Sequence, residues 1–388
     1  MEDNVKVIKS SRGCCGEQEL EEVKEAFAYG YFGLAYKVND LEDAIGNYLG
    51  CGKDSKEPRH VICTNNGTNA LHLALDTIGV TVGDEVILPS FTFVATAQAV
   101  SMTGATPVFC EVDPDTFRMD IEDVKKRITP KTKAIIPVHY AGRPCDMDEL
   151  LALGKKKGIR IIEDAAHAFG SYYKGRKIGS FGDITCFSFD SIKVMTCGEG
   201  GCVITNDDNF DNISRQKRLL GIDRKTMHVT DWKKRSWIYD VPTTGYRYHM
   251  SNINAAIGLA QIKKVDKFIA RRRELCIEYD KLLSGVKGIK TMPAKYDEIT
   301  PFMYVIRVAD GKRNQLKDFL MENNIESGIS YIPCTNFSLY HHDGDEKRYA
   351  VTQKIFEEIL CLPMHFELSD DDVKRVTDTI KRFCVGNF

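Results

Sequence analysis

No apolar stretch of this 388-residue sequence approaches the ~18–20 residues that a membrane-crossing helix needs, so no such helix is expected. The opening MEDNVKVIKSSRGCC lacks the apolar run of a secretory signal, which makes the cytoplasm the expected location. Excess charge is missing too. Lys and Arg number 53 against 55 Asp and Glu, and a net charge of -2 leaves no basic surplus for nucleic acid or an anionic membrane surface. No C-x-x-C pair occurs, although there are 13 cysteines. Most stand singly in apolar runs, as do Cys63, Cys110, Cys186 and Cys202, where a thiol behaves as a small buried hydrophobe. Neither a metal site nor a disulfide framework is therefore expected. Internal repeats and low-complexity tracts are absent as well.

What is present is an ordinary globular composition, 43% hydrophobic and 28% charged, on a chain long enough for two or three domains at ~100–200 residues each. Short β-branched runs recur at 60–65, 85–91, 106–113, 133–140, 160–165, 183–189 and 201–206. Helix-like segments such as TNALHLALDTIG, ATAQAVSMTG and DMDELLALGKKKG lie between the first five. That alternation implies a mostly parallel sheet covered on both faces. The last two runs are joined only by a loop, so that pair can be antiparallel. One long amphipathic helix is expected over NINAAIGLAQIKKVDKFIARRRELCIEYDKLL, then strands near 302–309 and 327–333. Further helices are expected at RNQLKDFLMENN, EKRYAVTQKIFEEIL and SDDDVKRVTDTIKRF. The fold class is α/β: a mixed, mostly parallel seven-stranded sheet flanked by helices, in a large domain over 1–262 that begins with a helical segment. A smaller C-terminal α/β domain spans 263–388.

In an open α/β sheet, ligands bind beyond the carboxyl ends of the strands. The first run ends in TNNGTNAL, where Gly67, Thr68 and Asn69 open a helix. Backbone N–H groups and a hydroxyl there suit a phosphate; simple capping by Thr68 or an asparagine explains the same pattern. The second leads into PSFTFVATA, bringing Phe91 and Phe93 to the rim, either to lie on a planar ring or to pack in the core. The fifth ends in Glu163 and Asp164, of which only one can face a ligand at a period of two. A carboxylate in an apolar sheet needs a cationic partner or several donors, and a protonated pyridine nitrogen is such a partner. Capping of the next helix by Asp164 is the other reading. His167, one turn on, can reach the same ligand.

The stretch DSIKVMTCGEGG sets Lys193 between an apolar run ending near Ser188 and a glycine turn. A Walker phosphate loop has its glycines before the lysine; here they follow it, and that reading fails. A solvated lysine, with a pKa near ~10.4, is a poor nucleophile, whereas burial frees the amine to form a Schiff base. The parts fit one ligand. It would offer an aldehyde to Lys193, a phosphate to Gly67, Thr68, Asn69 and Ser188, a ring nitrogen to Asp164 and an aromatic face to Phe93. Pyridoxal 5′-phosphate (PLP) carries all four groups.

Nearly end to end, the sequence resembles the DegT/DnrJ/EryC1/StrS sugar aminotransferases, PLP enzymes of the fold-type-I, aspartate aminotransferase-like class. GYFGLAYKVNDLE, NNGTNALHLAL, GDEVILPSFTFVATA, PVFCEVDPDTFRMD, PVHYAGRPCDMDEL, the run from IIEDAAHAFG to MTCGEGG, and GYRYHMSNINAAIGLAQI carry the resemblance. It implies that Lys193 forms the Schiff base and shuttles a proton, and that Asp164 pairs with the pyridine nitrogen. By the same resemblance His167 lies beside the ring hydroxyl and Phe93 stacks on the ring. Phosphate contacts are implied at Gly67, Thr68 and Ser188, completed by Arg247 in the GYRYHMS loop of a second subunit, hence a homodimer. The implied activity is amino transfer from L-glutamate, through PLP and its pyridoxamine form (PMP), to a keto sugar. The acceptor it implies is a nucleotide-linked 4-keto-6-deoxy sugar, in deoxyamino-sugar biosynthesis for surface polysaccharide or a glycoside.

Three places depart from the family's usual pattern. Arg247 stands where asparagine is common, and Gly33-Leu34-Ala35 where G-x-G or T-G is common. SGISYIPCTNFSLY, with Ser330, Cys334 and Asn336, replaces a histidine-containing substrate stretch. Asp190 has no assigned role. The 327–340 segment leaves a free keto or aldehydo sugar acid, such as an octulosonate, as an alternative acceptor. A PLP/PMP sugar dehydratase is a further reading, but relatives that remove a 3-hydroxyl carry histidine in place of the Schiff-base lysine. A non-catalytic binding protein would lack Lys193 or Asp164, and both are present.

Overall fold

The computed structural model describes residues 6–223 and 239–388; residues 1–5 and 224–238, inside the span expected for the larger domain, lie outside the described residues. The β-branched runs form β1 (His60–Thr64), β2 (Glu85–Pro89), β3 (Thr106–Cys110), β4 (Thr132–Ile135) and β5 (Arg160–Asp164). A short hairpin, β6 (Tyr172–Tyr173) and β7 (Arg176–Lys177), precedes β8 (Ile184–Ser188) and β9 (Gly201–Thr205). One seven-stranded sheet results, in the order β1-β9-β8-β5-β4-β2-β3. The strands β3, β2, β4, β5 and β8 pair in parallel, and β9 runs antiparallel to both β8 and β1. All but β9 therefore share one direction, and their carboxyl ends share one edge of the sheet. The loop between β8 and β9 carries no crossover helix and turns straight back, so that pair is antiparallel.

Period-two alternation explains the apolar character of both faces. Ile62, Val86, Leu88, Ala134, Ile162 and Ile184 pack with Leu71, Leu75, Ala97 and Val100 of the helices Gly67–Thr77 and Val94–Ser101 on one face. Their neighbours Val61, Cys63 and Phe187 meet Leu41, Ile45 and Phe268 on the other. There too Ile87, Ile135 and Ile161 meet Val124 and Leu150. All thirteen cysteines are free thiols, and all but Cys14 and Cys15 are buried.

A second sheet contains β10 (Ile289–Thr291), β11 (Tyr304–Val308) and β12 (Ile359–Leu362), antiparallel in that order. Tyr304, Ile306, Leu360 and Leu362 pack there on Leu275, Tyr279, Leu316, Val373 and Ile380. Two local expectations are corrected. The expected single helix over 252–283 is two, Asn252–Ile262 and Val265–Leu283, parted at Lys263 and Lys264. The first packs closely through small residues, Ala255, Ala256, Gly258 and Ala260. The second sets Val265 and Phe268 against the core of the large sheet and Leu275, Tyr279 and Leu283 against the second core, and the break lets it pass from one to the other. The expected strand at 327–333 is also absent; only Gly328 bridges, to Cys361. The ladder there is β12, whose first two residues, Ile359 and Leu360, fall at the end of the helix expected over EKRYAVTQKIFEEIL. All four of its residues are buried, which a strand permits and an amphipathic helix does not.

Candidate active site

The carboxyl ends of β1, β2, β5 and β8 converge on a cavity of about 400 Å³. Beyond β1, Asn66 caps the helix Gly67–Thr77 by accepting the Asn69 N–H at 2.8 Å, and the Asn69 side chain donates to Asn65. Capping thus falls to Asn66. Gly67 and Thr68 line the cavity, while Asn69 is not among its lining residues. A Cβ on Gly67 would stand 2.7 Å from the Cβ of Ser188, so only glycine lets this helix start lie against β8. Gly201 is pinned similarly, since its Cβ would fall 2.6 Å from the Asn66 carbonyl. Beyond β2 the two aromatics separate. Phe91 is fully buried against Phe117 and Tyr140, whereas Phe93 is 53% exposed and lines the cavity.

At the end of β5, Asp164 faces the cavity and Glu163 faces away, held by Nε2 of His139 at 2.9 Å and the Thr185 hydroxyl at 2.8 Å. Asp164 accepts the Thr96 hydroxyl at 2.8 Å and the Ala166 N–H at 3.2 Å. Burial raises its pKa; these donors and the Lys193 charge oppose the rise. His167 is buried, stacked on Phe302 at 4.2 Å, with its Nε2 2.9 Å from the Tyr331 hydroxyl. Desolvation first, and the Lys193 charge second, hold it well below the usual histidine range, so the imidazole is neutral.

Lys193, after β8, is half-buried, with Nζ 4.2 Å from the centre of the Phe302 ring. Desolvation pushes its pKa down to about 8, against the carboxylates of Asp164 and Asp190. A useful fraction of the amine is then a free base near neutrality, as a Schiff-base nucleophile requires. Gly198, at φ +76°, turns the chain back toward β9. Asp190 accepts the Lys193 backbone N–H through its carbonyl at 3.0 Å and the Ile192 N–H through its carboxylate at 3.3 Å. It therefore shapes the turn that presents the lysine, and it also lines the cavity.

PLP fits these residues. The glycine-made cradle at Gly67, with the Thr68 and Ser188 hydroxyls and a helix N-terminus, suits its phosphate. A buried carboxylate held ionised by the Thr96 and Ala166 donors suits a protonated ring nitrogen, and the buried Nδ1 of His167, without a partner among the described residues, suits a ring oxygen. Lys193 supplies the amine for its aldehyde. Arg247 lies elsewhere: it is exposed, bridges Leu219 and does not line the cavity of its own chain. Among the described residues no group of three or more His, Cys, Asp or Glu side chains gathers as a metal site, and no helix is long and apolar enough to cross a membrane.

Thr96, Phe302, Tyr331 and Glu199 complete the surroundings and were not singled out from the sequence. Thr96 could have been: it follows Thr92 by one helical turn, and their hydroxyls lie 2.9 Å apart. Of the atypical 327–340 segment only Tyr331 lines the cavity. The Ser330 carbonyl accepts the Tyr140 hydroxyl, Cys334 is buried beside Ser90, and Asn336 bonds Gln353.

A sequence model of the DegT/DnrJ/EryC1/StrS aminotransferase family matches residues 13–381. The chain is 33% identical over 380 residues to the spore coat polysaccharide biosynthesis protein SpsC of Bacillus subtilis, covering 96% of this chain and 95% of that one. Its structure is similar to the aminotransferase TlmJ from Streptoalloteichus hindustanus, with TM-score 0.90 and 31% identity over 99% of this chain and 100% of TlmJ. It is also similar to the PLP form of Spr1654 from Streptococcus pneumoniae, with TM-score 0.88 and 30% identity over 98% and 99% of the two chains. With its cavity built for PLP, the chain belongs to the DegT/DnrJ/EryC1/StrS aminotransferase family and is a PLP-dependent sugar aminotransferase.

Proposed function

We propose that the enzyme moves an amino group from L-glutamate to the ketone of a nucleotide-linked 4-keto-6-deoxy sugar, for surface polysaccharide or a glycoside. The observation that carries this reading is the meeting of Lys193, Asp164 and His167 in one cavity of a sugar-aminotransferase fold. Similarity to a spore coat polysaccharide biosynthesis protein supports the pathway class. When bound, PLP supplies a carbonyl for the amine and a conjugated ring that takes up electrons. Lys193 would hold it, and its freed Nζ would move a proton between the cofactor carbon and the carbon of whichever substrate is bound. Asp164 keeps the ring nitrogen protonated. Phe93 covers the ring, and Gly67, Thr68 and Ser188 hold the phosphate.

The active form in this reading is a cytoplasmic homodimer in which Arg247 of one chain completes the phosphate site of the other. Its exposure away from its own cavity supports that role. The chain divides into domains 1–262 and 263–388 at the break between the two helices, and Phe302 and Tyr331 then reach the cavity from the smaller domain. A sugar-acid acceptor draws little support, because the atypical segment contributes only Tyr331 to the cavity.

The test is a substrate panel. PLP-loaded enzyme with L-glutamate is offered nucleotide-linked 4-keto-6-deoxy sugars, free keto and aldehydo sugar acids, and no acceptor, with products read by mass. Aminated nucleotide sugar is the expected product; turnover of the free acids alone overturns the assignment.

A further inference from the structure

Tyr331 approaches His167 from a loop between β11 and β12, and the two side chains are held against each other from several sides. The Tyr331 hydroxyl lies 2.9 Å from Nε2 of His167, and the rings lie nearly parallel, 5.9 Å apart at 22°. Tyr140 packs edge-on to both and donates its hydroxyl to the Ser330 carbonyl, fixing the residue before Tyr331. Phe302 stacks on the imidazole at 4.2 Å. The imidazole has little freedom to turn. Its second nitrogen, Nδ1, is buried and has no hydrogen-bond partner among the described residues.

A neutral imidazole has one N–H and one bare nitrogen, and the bond made at one nitrogen decides where the proton sits. We propose that Tyr331 is a positioning residue whose O–H donates to Nε2 of His167, placing the imidazole proton on Nδ1 as a donor reserved for an acceptor oxygen of the bound cofactor. Chemistry selects this direction. In the reverse arrangement Nε2 donates to the phenol oxygen, and the buried Nδ1 becomes a bare acceptor that repels the electron-rich ring oxygen of PLP. The phenol is able to donate because burial, with the nearby Asp164 and Asp190 carboxylates, keeps it protonated. The ring of Tyr331 also touches Phe93 at 5.3 Å, so the same residue borders the aromatic wall of the cavity. None of this depends on which sugar is the acceptor, so its failure is distinguishable from failure of the substrate assignment.

Selective 15N-histidine labelling of the cofactor-free protein reads the tautomer directly, with His167 assigned by loss of its signals in His167→Asn. The wild type is expected to show the Nδ1–H form, and Tyr331→Phe a shift toward Nε2–H. In PLP-loaded protein, the pH midpoint of the cofactor's absorbance change is expected to move by about one unit in Tyr331→Phe, as loss of a hydrogen bond at a charged oxygen produces. The thermal midpoint should stay close to wild type. An Nε2–H tautomer in the wild type overturns the proposal. So does a Tyr331→Phe protein with the wild-type tautomer and titration.

Discussion

The Thr96 hydroxyl donates to Oδ2 of Asp164 at 2.8 Å, so the first turn of the helix after β2 props the carboxylate at the end of β5. Burial alone would drive Asp164 toward its protonated form, in which it cannot hold a cationic ring nitrogen. Thr96→Val removes that donor while keeping the shape. PLP affinity should fall about tenfold, the worth of one hydrogen bond to a charged group. An absorbance titration measures it, and unchanged affinity speaks against the propping role.

Capture of PLP by the cofactor-free enzyme should follow the free-base fraction of Lys193. Its pKa is lowered to about 8, so the amine is neutral above that pH and charged below it. The capture rate, followed by stopped-flow absorbance, should rise with pH to a plateau with a midpoint near 8. A midpoint near the ordinary lysine value would mean that the amine is not desolvated.

Asp164→Asn separates stability from catalysis. The folded-state pKa of Asp164 is raised, so the unfolded chain releases this proton at lower pH than the native one. Ionising the residue in the fold therefore costs stability, and the cost grows as pH rises through that interval. The cofactor-free variant should melt no lower than wild type at pH 7, while transamination falls at least about a hundredfold. Thermal melts across pH and steady-state rates check both halves.

At Gly67 a methyl group would meet Ser188 at 2.7 Å, and the helix start must shift to admit it. Gly67→Ala should weaken PLP binding at least about tenfold, in line with overpacking at a close contact. Equilibrium dialysis gives the number; wild-type affinity would remove Gly67 from the phosphate cradle.

If Arg247 acts across a dimer, Arg247→Ala and Lys193→Ala should each be nearly inactive alone and complement one another when mixed. Random reassortment makes half the dimers hybrid, each with one intact site of two, so about a quarter of wild-type activity should return. No recovery on mixing would place Arg247 outside the partner's site.

Much of the large sheet is legible in the sequence because strands buried on both faces appear as unbroken apolar runs bounded by turns. Lys193, Asp164, Ser188, Gly67 and Thr68 are legible for a related reason: they stand at strand ends on one edge, where ligands of such sheets collect. The rest depends on tertiary packing. The short ILCL run carries no periodicity to tell strand from helix, so β12 is not legible there. Asn69 has the right address for a phosphate, yet its side chain is committed to Asn65 and its N–H to Asn66. Phe302 and Tyr331 lie far along the chain in runs that look like ordinary core, and only folding sets them beside His167.

The most direct measurement is borohydride reduction of the PLP-loaded enzyme, followed by digestion and peptide mass analysis, with and without L-glutamate. Without the donor, the cofactor mass should be fixed on the peptide carrying Lys193. Prior incubation with L-glutamate should abolish that label by converting the enzyme to its PMP form. Label on another lysine, or label on Lys193 that no amino donor removes, would contradict a Lys193-dependent amino transfer.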